Sequence, residues 1–340
     1  MLKKSVLFLR SERGELKIKE LALTLKKSSQ RLKYLLNSLE KEQVIHDPYC
    51  IFDYSYFGLI LFRVYFKEAY ISEADKAKII KQLTENSYIV AVHETTGEFD
   101  LFIEIAAQNP SKFNKVLGGI INLIPTMSHY KTLLNIVTYL YPRYYLSEKE
   151  YLYSYVPPQI IVGGDREVQE FNKNELTIIK NLVDNPKIRQ AELAERSILN
   201  VKTAKKTLKN LQERNILKGI KYQINTEKLG INSHRLYLKF YNRDLGRDNE
   251  LLKFLRETRE IIQANKTVGD WDLEIDIESP DRTKIRKLIV EFREKFKDII
   301  EKFNIMELNQ SYKRTYLPKY YFENLAERGG VVTLNSNLYK

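Results

Sequence analysis

The first 45 residues alternate apolar and polar positions at helical spacing. Val6, Leu7 and Leu9 lie in a first amphipathic segment. Ile18, Leu21, Ala22 and Leu25 follow at i, i+3, i+4 and i+7, which predicts a second helix with one buried stripe. Ser28 stands where a side-chain oxygen can cap a third helix, whose stripe is Leu32, Leu36 and Leu39. Val44-Ile45 to Ile51-Phe52, turning through Asp47-Pro48, predicts a short two-stranded wing. Three short helices and a wing make a winged helix-turn-helix over 1–54.

Residues 55–146 change period. Gly58 to Phe66 predicts a strand, Ser72 to Asn86 a helix, and Tyr88 to Glu94 a strand. Thr95-Thr96-Gly97-Glu98-Phe99-Asp100 makes a glycine turn into a third strand, Leu101 to Ile105. Asn109-Pro110 supplies an N-cap and a first-turn proline for the next helix, and Tyr130 to Leu140 a last strand. The order βαββαβ is that of a ferredoxin-like domain, one sheet with two helices on one face.

Residues 147–172 follow as a Tyr/Pro/Gly-rich linker. Tyr144, Tyr145, Tyr151, Tyr153 and Tyr155 crowd near its start, and Pro157-Pro158 and Gly163-Gly164 mark a boundary. The tyrosines are expected to pack onto a domain surface.

The pattern then returns at an offset of 172 residues. Asn185 to Ala194 matches Arg13 to Ala22, Asn200 takes the place of Ser28, and Ala204, Leu208 and Leu211 that of the apolar stripe. Thr267-Val268-Gly269-Asp270-Trp271-Asp272 repeats the glycine turn, and Ser279-Pro280 repeats Asn109-Pro110, now at an offset of 170. The chain is therefore expected to be internally duplicated, of class α+β. A second winged helix-turn-helix is placed at 173–230, a second ferredoxin-like domain at 231–322 and a tail at 323–340.

Composition narrows the partners. The chain has 340 residues, 29% of them charged, and a formal net charge of +12, which favours a polyanion. Cys50 is the only cysteine, and His46, His93, His129 and His234 show no metal-ligand spacing, so neither metal nor cofactor is expected. The apolar run at the N-terminus breaks at Arg10, and no stretch approaches the roughly 20 apolar residues of a membrane span. A cytoplasmic protein without a membrane partner is expected.

With Ala204, Leu208 and Leu211 facing inward, Lys202, Lys205, Lys206 and Lys209 must point outward from a helix that fits the major groove. Asn200, Lys202 and Thr203 lie near its N-terminus, and Lys218 and Lys221 add charge beyond it. The first-half counterpart offers Lys27, Ser28, Ser29, Gln30, Arg31, Lys33 and Asn37, of which Gln30 and Arg31 can pair bidentately with adenine and guanine. A merely solvated lysine face is the competing reading. For Gly97, Asp100, Gly269 and Asp272, a tight turn closed by its aspartate is favoured over a ligand site. Tyr65, Phe102 and Tyr237 lie on open sheet faces that could pack together. No Ser/His/Asp grouping, phosphate-cradling loop or repeated histidine stands out, and no enzyme is expected.

Leu21-Ala22, the Ser28 cap, Thr96-Gly97-Glu98-Phe99-Asp100 and their second-half partners resemble the leucine-responsive/AsnC (Lrp/AsnC) family of transcriptional regulators. The resemblance covers about 1–142 and 173–318. It implies paired effector domains, double-stranded DNA as partner, an amino-acid effector near Gly97, Asp100, Gly269 and Asp272, and further homo-oligomerisation. The pattern departs at Leu35 and Thr207, where the family has arginine, at Gln43 and Asn215, where it has glycine, and at Val268, where it has threonine. The expectation is a tandem, sequence-specific regulator acting as a pseudo-dimer. A sensor or assembly protein without DNA binding is one alternative. A sirohaem-decarboxylase-like enzyme of tetrapyrrole metabolism is another, although its histidine- and arginine-rich motifs are not found in sequence.

Overall fold

The computed structural model describes residues 2–70, 72–241 and 245–323; most of the tail lies outside them. Helices α1 (Leu2–Glu12), α2 (Ile18–Leu25) and α3 (Ser29–Lys41) form the first head. Ser28 caps α3 by accepting from the Arg31 amide at 3.3 Å. The wing is corrected: β1 (Ile45–Phe52) is one continuous strand and does not fold back at Asp47-Pro48.

A first βαββαβ unit follows, made of β2 (Ile60–Phe66), α4 (Glu73–Glu85), β3 (Ile89–Thr96), β4 (Leu101–Ala107), α5 (Pro110–Leu123) and β5 (Tyr130–Leu140). Asn109 caps α5, with Pro110 at its first turn. The segment expected to be a linker is built in. Tyr144 and Tyr153 pack with Phe8 of the first head, and β6 (Ile160–Gly163) pairs with β5.

The second head consists of α6 (Lys173–Asp184), α7 (Gln190–Arg196) and α8 (Val201–Glu213), followed by β7 (Leu217–Ile224). Asn200 caps α8, accepting from the Thr203 amide at 2.8 Å. The partner of β1 is β7, antiparallel, with Pro48 opposite Tyr222 and Cys50 opposite Ile220. The two heads are thus joined by a ribbon to which each contributes one strand.

A second βαββαβ unit comprises β8 (Asn232–Phe240), α9 (Leu245–Glu257), β9 (Ile261–Val268), β10 (Leu273–Ser279), α10 (Arg282–Phe296) and β11 (Ile300–Arg314). The cap of α10 is Asp281, not Ser279. Strand order runs β2-β4-β3-β11-β8-β10-β9-β5, and β5 also pairs with β2, so eight antiparallel strands close into a barrel. Closure removes the free edges each unit alone would leave. Alternation along β8 sends Leu236, Leu238 and Phe240 out to α9 and α10 and Tyr237 inward. There Tyr237 meets Tyr65, Phe99, Phe102, Leu133 and Met306.

Candidate nucleic-acid interface and barrel cleft

α8 buries Ala204 and Leu211 against its head and leaves Leu208 half-buried. This orientation exposes Lys202, Lys205, Lys206 and Lys209. Among the described residues only Lys209 of these has a carboxylate partner, Glu213, one turn along on the exposed face. Thr203 is half-buried. In the first head Lys27, Ser28, Ser29, Gln30, Arg31, Lys33 and Asn37 are all exposed, opposite buried Leu32, Leu36 and Leu39. Two lysines leave this set. Lys218 pairs with buried Asp53 at 3.2 Å, and Lys221, only 4% exposed, pairs with buried Glu12. Both acids belong to the first half of the chain, so these charges tie the halves together and do not face outward.

The glycine turns are tight. Gly97 (φ +133°) and Gly269 (φ +140°) adopt backbone conformations that L side chains rarely take. Thr95 and Thr267 donate across their turns to the carbonyls of Phe99 and Trp271. Asp100 accepts from the Ala69 amide, while Asp272 accepts from the Phe240 amide and from Lys239 Nζ, both at 2.9 Å. Their carboxylates therefore already serve their own folds. Lys131 bridges Glu98 and Asp270, which sets the two turns side by side.

Inside the barrel lies a polar layer that neither half could satisfy alone. Arg63 Nε donates to Glu104 at 2.6 Å, and its other nitrogens reach Glu274 and Asn265. Arg235 holds Asp276 with two bonds of 2.6 and 2.8 Å and donates to Tyr65, whose hydroxyl in turn donates to Glu274. Burial alone would lower Arg63, but Glu274 and Glu104 raise it above its ordinary value and keep it charged.

This layer opens into a cleft of about 90 Å³ between the head ribbon and the barrel wall, lined among others by His46, His93, Arg143, Arg235, Asp276 and Arg314. His93 stacks on Phe102 at 4.6 Å, and burial, then Arg314 and Arg235, holds its pKa well below the usual imidazole value. Arg143 is engaged by Glu278. Arg314 differs: it donates to Gln263 and Tyr316 and lies near the faces of Tyr49 and Tyr316, without a carboxylate in ion-pair contact among the described residues. These residues come from β1, β3, β8, β10, β11 and the segment after β5. Sequence inspection for a compact histidine- and arginine-rich motif therefore missed them; the one signal was unequal pairing across the repeat, His93 against Asn265. Among the described residues no three or more His, Cys, Asp or Glu side chains gather as a metal ion would need, and no helix is long and apolar enough to cross a membrane.

Comparison with known proteins gives three findings. The profile of the Lrp/AsnC ligand binding domain matches residues 64–144, and that of a winged helix-turn-helix DNA-binding domain matches 171–218. No curated protein sequence matches. Two solved structures of the siroheme decarboxylase NirDL share the fold over 96% of this chain, at 14% identity and TM-score 0.55. One covers 98% of its own chain, and the other, in co-complex with an iron-uroporphyrin III analogue, 96%. An AsnC family transcriptional regulator from Agrobacterium tumefaciens covers 44% of this chain and 99% of its own, at 14% identity and TM-score 0.39. The expectation that the chain is no enzyme is overturned here, since the fold matching it from end to end is that of an enzyme.

Proposed function

The chain belongs to the Lrp/AsnC family, and from that premise we propose that it is a duplicated, two-headed DNA-binding regulator in which one chain stands for a dimer. The observation that carries this reading is α8: Lys202, Lys205 and Lys206 are exposed on one face without carboxylate partners among the described residues. Lysines so placed neutralise phosphates while the N-terminal residues of the helix reach base edges. Ser29, Gln30, Arg31, Lys33 and Asn37 would serve the first head. Because the two sets differ, the site bound is asymmetric, with half-sites about 34–36 Å apart or a multiple of it.

A small effector such as an amino acid fits this reading best in the cleft. Arg314 offers a guanidinium there without an ion-pair partner among the described residues, whereas Asp100 and Asp272 are engaged by their own turns. Gel-shift titration on fragments selected from a random pool, at two salt concentrations, tests the function. Affinity is expected to fall steeply with salt, and replacing Lys202, Lys205, Lys206 and Lys209 with glutamine should reduce that slope. Salt-independent or absent binding removes the reading.

A second reading is an enzyme acting on an iron tetrapyrrole. Its support is the end-to-end fold likeness to NirDL together with His93, Arg235 and Arg314 in one cleft. At about 90 Å³ the cleft admits a group the size of a carboxylate. Ligand pockets of drug size run to roughly 300–1,000 Å³, so a macrocycle would require the ribbon to move. Absorbance titration with an iron-uroporphyrin tests this reading: a spectral shift weakened by Arg314→Met supports it, and an unchanged spectrum removes it.

A further inference from the structure

The turn from α7 into α8 contains a residue whose chemistry the fold does not explain. Ile198 adopts φ +56°, a left-handed conformation that a β-branched side chain resists. It is also 93% exposed, so no packing offsets the strain. Three residues on, at the first position of α8, Val201 is 51% exposed. Together they put two branched apolar side chains on the lip of the lysine-rich helix, either side of its Asn200 cap.

The first head shows that the turn does not require them. Its equivalent residue, Lys26, has φ +52°, and the amide after it closes onto Ala22 at 3.0 Å just as Leu199 closes onto Ala194 at 2.9 Å. In that head the two lip positions are Lys26 and Ser29, both exposed and polar. The same backbone thus carries a polar lip on one head and an apolar lip on the other. A β-branched residue held in left-handed backbone is costly, and residues so held cluster where a protein meets its ligand.

We propose that Ile198 and Val201 are specificity-determining residues that contact the 5-methyl groups of thymines in the major groove, so that the second head selects a thymine-containing half-site. The inference rests on the DNA-binding reading above. Its chemistry follows from the groove: beside a helix whose lysines hold phosphates, thymine methyl groups are the apolar features a branched side chain can meet. The first head, lacking such a lip, would read its half-site by polar contacts from Gln30 and Arg31.

The test uses the full chain and a duplex selected from a random pool, in which thymines are replaced by deoxyuridine in one half at a time. This change removes only the methyl group. Affinity is expected to fall about threefold or more per contacted methyl, on the order of one buried methylene, when one half is substituted and to hold for the other. Ile198→Gly with Val201→Ser should bind the thymine duplex more weakly and lose the uracil penalty. Glycine accepts the left-handed turn, so a thermal midpoint that does not drop shows that the loss is not unfolding. Equal loss from both halves, no loss, or a penalty that survives the double substitution overturns the proposal and leaves the regulator reading intact. Failure to retain any duplex overturns both.

Discussion

Arg63 and Glu274 form an ion pair across the two halves of the barrel, with side chains 1% and 0% exposed. Each also serves its own half: Arg63 holds Glu104, and Glu274 accepts from Asn265. The pair is enclosed, so removing Arg63 takes the nearest counter-charge from both Glu104 and Glu274, and leaves Glu274 only the more distant Arg235 at 3.8 Å. Arg63→Met is expected to destabilise the chain by about 3–5 kcal/mol, the cost of breaking a buried ion pair by removing one partner. Replacing both with apolar residues of similar volume should recover much of that loss. Urea unfolding of the single and double variants measures it; additive losses would mean the pair is not coupled.

The two glycine turns respond unequally to a methyl group. At Gly97 a Cβ would sit 3.7 Å from Met306, in ordinary contact, so Gly97→Ala carries only conformational strain, about 1–3 kcal/mol. At Gly269 the Cβ would stand 2.8 Å from Leu133 Cδ2 and 3.1 Å from the Thr132 carbonyl. The backbone of β5 cannot yield there without disturbing its pairing with β9. Gly269→Ala should therefore cost more, by a further 1–3 kcal/mol or so for overpacking. Denaturation midpoints falling in the opposite order would contradict the close approach of Gly269 to β5.

Cys50 reports on the ribbon between the heads. It is 3% exposed, its thiol lies 3.6 Å from the Leu182 carbonyl of α6, and burial pushes its pKa up to about 12. A thiol that is neither ionised nor accessible does not react. Native protein at neutral pH should resist a thiol reagent, and labelling should appear only as urea parts β1 from the second head. Prompt stoichiometric labelling of the folded chain would show that this packing opens freely.

What could be read from the chain was local. The Ser28, Asn109 and Asn200 caps and the glycine turns at 97 and 269 follow from a few adjacent residues, and each forms as its spacing requires. What could not be read was pairing over distance. Val44 to Phe52 has the composition of a hairpin, but the free edge of β1 is satisfied by β7, about 170 residues away. Lys218 and Lys221 continue a basic run in sequence, and only the fold shows Asp53 and Glu12 waiting beside them. The cleft escaped for the same reason, because His46, His93, Arg143 and Arg314 meet only once the heads sit on the barrel.

His93 gives the acid limb of stability a testable origin. Arg314, Arg235, Arg63 and Asp276 surround it electrostatically, and His46, Arg143 and Glu278 line the same cleft. Burial first, then the arginines, holds its folded pKa well below the ordinary 6.5, with Asp276 opposing. Well above pH 6.5 both folded and unfolded chains carry it neutral, and it adds no pH dependence. As pH falls below 6.5 the unfolded chain takes up a proton that the folded chain refuses, so stability drops by up to about 1.4 kcal/mol per pH unit until the folded pKa is reached. His93→Asn, the residue its repeat carries at Asn265, cannot titrate. Other histidines and carboxylates act alike in both proteins, so the difference between their urea unfolding free energies isolates this group. That difference is expected to be flat near pH 8, to begin to bend as pH approaches 6.5, and to move steadily in favour of the variant toward pH 5. A difference that stays flat throughout would place His93 in contact with water and free to ionise in the folded chain.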